Sequence, residues 1–172
     1  MADQYPEGIS ARHRSGDSNR HVIWWRIGLI ALILLAALFG LLGGAPAPTR
    51  QATNAAATLA ITTPDRLRNG MLFETRVSAM AKRPIEDAVI AVPPGMWRDM
   101  TVNSMIPAPT EEEFAGGEFR FHFGALRAGE RLAIKIDGQV NPPRYSNSSG
   151  RLRLLDGEAE LVVLPFSLKV IP

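Results

Sequence analysis

The sequence predicts a mainly β chain: one antiparallel β-sandwich preceded by a single N-terminal transmembrane α-helix. Three observations predict it. Ile27 to Gly44 carries no charged and no strongly polar residue. From Thr58 onward, short apolar runs alternate with polar residues at period two, the mark of half-buried strands. Turn signals separate those runs, and no amphipathic-helix spacing lies between them.

The apolar stretch spans about 27 Å as a helix, and Val22, Ile23, Trp24 and Trp25 extend it enough to cross a hydrocarbon core of about 30 Å. Each Leu, Ile or Phe favours insertion by about 0.3–0.6 kcal/mol, so the cost of Arg26, about 3 kcal/mol at the bilayer centre, does not reverse the sum. Arg26 stands at the edge beside two tryptophans, where its guanidinium reaches the headgroups. Arg12, Arg14, Arg20 and Arg26 precede the segment and only Arg50 closely follows it, so the N-terminus is expected in the cytoplasm and the rest outside it. A cleaved signal peptide has a shorter apolar core, and here prolines follow Ala45 and Ala47, which block cleavage; an uncleaved anchor is expected.

The expected organisation is a disordered cytoplasmic tail over 1–21, the helix over 22–44, a linker over 45–56 and an extracytoplasmic sandwich over 57–172. The tail is rich in Ser, Asp, Arg and Gly and cannot bury enough surface to fold alone. The linker is small, polar and proline-bearing, and reaches up to about 30 Å if extended. With 19 Lys and Arg against 17 Asp and Glu, the charge balance gives no nucleic-acid signature. There is no cysteine, which excludes disulfides, thiolate metal sites and a cysteine nucleophile.

Strands are expected at Leu59–Ile61, Met71–Ala79, Ala88–Val92, Met100–Ile106, Glu118–Phe123, Arg131–Ile136, Arg151–Leu155 and Glu158–Leu164. Asp156-Gly157 predicts a type I′ hairpin between the last two. Phe119, Phe121 and Phe123 share one strand face and are the expected core centre, with Arg120 and His122 on the other.

The runs Arg76-Val77-Ser78-Ala79, Ile85 to Met96 (ending in Val92-Pro93-Pro94-Gly95-Met96) and Phe123-Gly124-Ala125-Leu126-Arg127-Ala128-Gly129-Glu130-Arg131-Leu132-Ala133-Ile134 resemble the immunoglobulin-like conserved repeat domain of bacterial surface proteins. The resemblance implies an Ig-like sandwich in single copy. Gly129 is expected at φ > 0, where the chain turns tightly into the next strand.

Candidate sites are few. His122 is the only histidine beyond the N-terminal region and falls on a solvent face, which argues against a catalytic triad. Glu111-Glu112-Glu113 is expected as a solvated loop, since calcium-loop spacing is absent. Trp97 either closes the sandwich end or meets a partner, and Arg144 and Tyr145, in a long proline-bearing loop, are the residue types that interfaces favour. Ala36, Gly40 and Gly44 make a small-residue stripe expected to admit a second helix. Asn147-Ser148-Ser149 matches the glycosylation sequon, a pattern common by chance.

No nucleophile, base and oxyanion constellation is present, so no enzyme activity and no cofactor or metal are expected. The expected function is a membrane-anchored interaction or accessory module of a bacterial envelope complex. Its partners are the bilayer and another envelope or integral membrane protein, with no nucleic acid. The alternative is a surface-adhesion or wall-associated binding module.

Overall fold

The computed structural model describes residues 20–42, 46–141 and 147–171, which form two compact units, one ending at Leu42 and one beginning at Gly43. The tail expected over 1–21 lies outside the described residues except for Arg20 and His21, which open the first helix.

That helix, α1, runs Arg20–Leu38, and its window His21–Leu38 has a mean hydropathy of 2.0. It stops short of the expected end at residue 44. The Leu41 amide donates to the Ala36 carbonyl and the Gly40 amide to the Ala37 carbonyl, with Gly40 at φ 66°. This is the Schellman arrangement, which glycine accepts because it has no Cβ to clash at positive φ. At about 1.5 Å per residue, α1 is roughly 28 Å long.

The second unit contains β1 (Thr49–Thr53), β2 (Ala57–Thr62), β3 (Arg66–Arg68), β4 (Leu72–Ala81), β5 (Ala88–Val92), the single turn α2 (Pro94–Trp97), β6 (Met100–Ile106), β7 (Glu111–Ala115), β8 (Glu118–His122), β9 (Arg131–Val140), β10 (Ser148–Asp156) and β11 (Ala159–Ile171). One sheet has the order β1-β2-β4-β9-β6 and the other β3-β11-β10-β5-β8-β7. All described pairings are antiparallel except β3 with β11, so the sandwich is mixed at one edge.

Three expectations need correction. Thr49–Thr53, expected as linker, is an edge strand paired to β2. Asn54 fixes the following turn: its Oδ1 accepts from the Ala56 and Ala57 amides, and its Nδ2 donates to the Leu161 carbonyl. Glu111-Glu112-Glu113, expected as a loop, begins β7, which meets β8 through Gly116-Gly117 at φ 61° and 79°. Two positive φ values make that the type I′ hairpin. At Asp156-Gly157 the two central residues are Gly157 and Glu158, closed by the Asp156–Ala159 pair, and only Gly157 has positive φ (55°). That is the type II′ pattern, in place of the expected I′. Asp156 is a strand residue whose carboxylate accepts from the Glu86 and Asp87 amides.

Leu59, Ile61, Val77, Ile134 and Ile136 from one sheet meet Ile90, Leu152, Leu154, Leu164 and Leu168 from the other. Burying each such side chain contributes about 1.5–3 kcal/mol, reduced where the unfolded chain is already compact. Of the three phenylalanines expected at the core centre, only Phe121 is buried, at 7% exposure; Phe123 packs partly and Phe119 lies at the rim. Gly129 stands at φ 84° before β9, as expected.

β5 is buried on both faces, which its unbroken Ala-Val-Ile-Ala-Val run requires. On the side away from the core, Val89 and Ala91 form a second cluster with Leu155. Arg120 and Arg153 pair across Ala91 from either side. Their stems screen the small cluster while Glu113 and Glu158 hold Arg120, and Glu118 and Glu160 hold Arg153.

Phe121→Ala should cost about 3–5 kcal/mol, read from the urea midpoint, because the cavity would open between the two sheets. A loss below about 1 kcal/mol would place Phe121 outside the core.

Candidate interaction surface

The strand registers bring several chemically distinct residues to one end of the sandwich. β4 begins there at Leu72, opposite Gln139 of β9, and β6 begins opposite Val140. β5 arrives at the same end and passes into α2, and Val92 pairs with Phe119 near the β7–β8 turn. Pro94 opens α2, where a missing amide costs nothing, and Met96 fixes the turn by inserting into the core.

Trp97 projects from α2 over the edge of the core. Its ring lies 5.3 Å from Phe121, edge on, and 6.1 Å from Phe119, tilted; Phe119 in turn lies 5.1 Å from Phe114. The row thus leads from the core to the surface. Trp97 both closes the end, with Met105 and Phe123 beside it in a narrow cleft, and contributes to this partly exposed row. Among the described residues of the sandwich, the large exposed hydrophobics are Leu72 (65%), Phe114 (60%), Ile106 (59%), Val102 (39%) and Phe119 (36%). All except Ile106 belong to the Trp97 end.

Arg144 and Tyr145 lie outside the described residues; Asn141 and Asn147, which bracket them in sequence, stand at this same end. Ser148 anchors the return: it is buried, and its hydroxyl donates to the Gly95 carbonyl of α2. A Cβ on Gly150 would lie 2.5 Å from Pro93 Cγ, so glycine lets β10 pass close to the α2 entry. The three residues of the membrane stripe fall differently in the structure. Ala36 is helical, Gly40 lies past the helix end in the cap, and Gly44 is outside the described residues.

His122 lies away from the Trp97 end, on the outer face of β8. Alternation placed the ring outside the core; it did not disclose the neighbours. Nδ1 is 2.6 Å from Asp87 Oδ2 and Nε2 is 3.7 Å from Glu113 Oε1, and the side chain is 19% exposed. The hydrogen bond to Asp87 raises the imidazole above the ordinary value of 6.5, against the opposing effect of burial. Among the described residues no serine hydroxyl is bonded to it, and no group of side chains could hold a metal ion. On the opposite sheet, Lys135 stands between Glu74 and Asp137, and Ser104 donates to Asp137. The hydrogen bond from Ser104, then that from Lys135, lowers the Asp137 carboxyl.

No family model matches the chain, and no curated protein does. Among solved structures, a CARDB domain from Pyrococcus furiosus in complex with di-metal ions aligns at 15% identity and a TM-score of 0.43, covering 71% of this chain and 95% of that one. The chitin-binding domain of a hyperthermophilic chitinase from Pyrococcus furiosus aligns at 15% identity and 0.41, covering 65% and 98%. At such values neither ligand carries over. The chain is a β-sandwich by its own sheets, and its surface must be judged from its own residues.

The raised imidazole gives a test with a definite sign. Folding favours the protonated ring, so its contribution is complete below the ordinary histidine pKa and is lost as pH rises through the raised value. His122→Gln should therefore destabilise more near pH 5 than near pH 9, with Asp87→Asn removing that difference. Equal urea midpoint losses at both pH values would contradict the Asp87 pairing.

Proposed function

We propose that the protein is a membrane-anchored interaction module of a bacterial envelope complex, with α1 as anchor and the sandwich outside the cytoplasm. The observation that carries this reading is the concentration of exposed aromatic and aliphatic side chains at one end of a closed, well-packed domain. Exposed apolar clusters of that kind mark contact surfaces. The arginine excess before α1 supports the N-in orientation, and the motifs shared with the immunoglobulin-like conserved repeat domain support a binding role. Trp97 contributes the rigid aromatic anchor on this reading, with Arg144 and Tyr145 as further proposed partner contacts.

The reading is tested by crosslinking and affinity capture from solubilised membranes, using the intact chain, a Trp97→Ala variant and a chain whose α1 is replaced by an unrelated membrane helix. A recurrent envelope protein captured by the intact and helix-replaced chains, and reduced with Trp97→Ala, is the expected result. Capture that follows α1 alone would reduce the sandwich to a passenger. Retention on isolated wall polymer without any protein partner would favour the wall-binding module instead.

A further inference from the structure

We infer that the Trp97 end of the sandwich is a lipid-contacting face that rests on the headgroups of an anionic bilayer, an inference that rests on the membrane-anchor reading of α1. Three observations carry it. The first is the apolar distribution: Leu72, Val102, Phe114 and Phe119, four of the five large exposed hydrophobics described in the domain, sit at this end. They come from four different strands, so they form the rim of an end surface and not the stripe of one sheet face.

The second is charge. Arg68, Arg98, Arg151 and Lys169 are exposed around the same end; the exposed acids near them are Asp99 at the α2 exit and Asp65, which is paired with Arg50. Glu118, also at this end, is engaged by Arg153. Basic side chains around apolar and aromatic groups are the composition that binds an anionic headgroup layer, because cations meet phosphates while rings enter the interface. The acidic stretch of β7 runs from Glu111, opposite His122, to Glu113, whose carboxylate is held by Arg120.

The third is where the sandwich begins in the sheet. Thr49 pairs with Thr62 and Thr53 with Thr58, while Thr62 pairs with Arg76 of β4, which began at Leu72. β1 therefore begins on the Trp97 side of the sheet and runs away from it. Only residues 43–48 separate Leu42 from Thr49, a reach of about 20 Å at full extension. A protein partner would be an equally apolar occupant, but the short tether and the basic rim favour the membrane surface. The tilted and edge-on rings also do not form the coplanar platform that a sugar chain stacks on.

The test uses the full chain in nanodiscs of phosphatidylcholine with a minor share of phosphatidylglycerol. Trp24→Phe/Trp25→Phe leaves Trp97 as the sole tryptophan; Phe114→Trp with Trp97→Phe in the same background gives a second reporter closer to the rim. Lipids brominated near the headgroup should quench both reporters more than lipids brominated at the chain end, and Leu72→Ser/Phe119→Ser should remove most of that quenching. Unquenched reporters, with Trp24 and Trp25 of the parent chain still quenched, would overturn the lipid face while leaving the anchor intact, and would assign the end to a protein partner. If Trp24 and Trp25 are also unquenched, the anchor reading falls and this inference falls with it.

Discussion

The structure depends on the burial of two sheet faces against each other in a chain without cysteine. With no disulfide to restrict the unfolded state, the apolar residues between β2, β4 and β9 on one side and β5, β10 and β11 on the other must offset most of the ordering entropy. Alternation follows from this constraint. A one-residue slip in β4 or β9 would turn Val77 or Ile134 to solvent and bring Arg76 or Lys135 inside. The buried polar residues conform to it as well: Thr63 and Thr75 satisfy each other through their hydroxyls at 2.8 Å.

The same constraint explains the uneven surface. β5 is apolar on both faces, so its outer side needs a cover, which Arg120 and Arg153 provide while their guanidinium groups remain paired with glutamates. The cover is short, and it extends along the strands as far as His122 and Asp87. At the Trp97 end no comparable charged lid closes over the sheets among the described residues. The α2 turn and an aromatic row occupy that place, which leaves apolar side chains beside solvent.

Much of this fold was legible because period two is a direct record of burial. The expected strands at Ala88–Val92 and Met100–Ile106 occur with those bounds, and the phase that put Phe121 inward and His122 outward holds. The elements that the pattern does not announce are short or disguised. β1 is a polar edge strand whose Thr-Arg-Gln-Ala-Thr sequence has no buried face to announce it, and β3 is only three residues long. β7 was masked by three glutamates, although Gly116-Gly117 carried a hairpin signal that could have found it. In the candidate surface, Trp97 was legible from its place after Pro93-Pro94-Gly95. Leu72, Phe114 and Phe119 were not, since strand registers, invisible in one sequence, bring them to the same end. Gly40 of the Ala36, Gly40 and Gly44 stripe also ends the helix, a capping role that small-residue spacing alone does not announce.

The central claim is that the two sheets fold as one unit around a shared core. Native-state hydrogen exchange on the full chain tests it most directly, because the slowest amides of each sheet report the free energy of global unfolding. The account predicts that the central amides of β4 and β9 exchange with the same free energy as those of β5 and β10, with β1, β3 and β7 opening earlier as edges. If one sheet's central strands opened at a clearly lower free energy than the other's, the shared core would be contradicted.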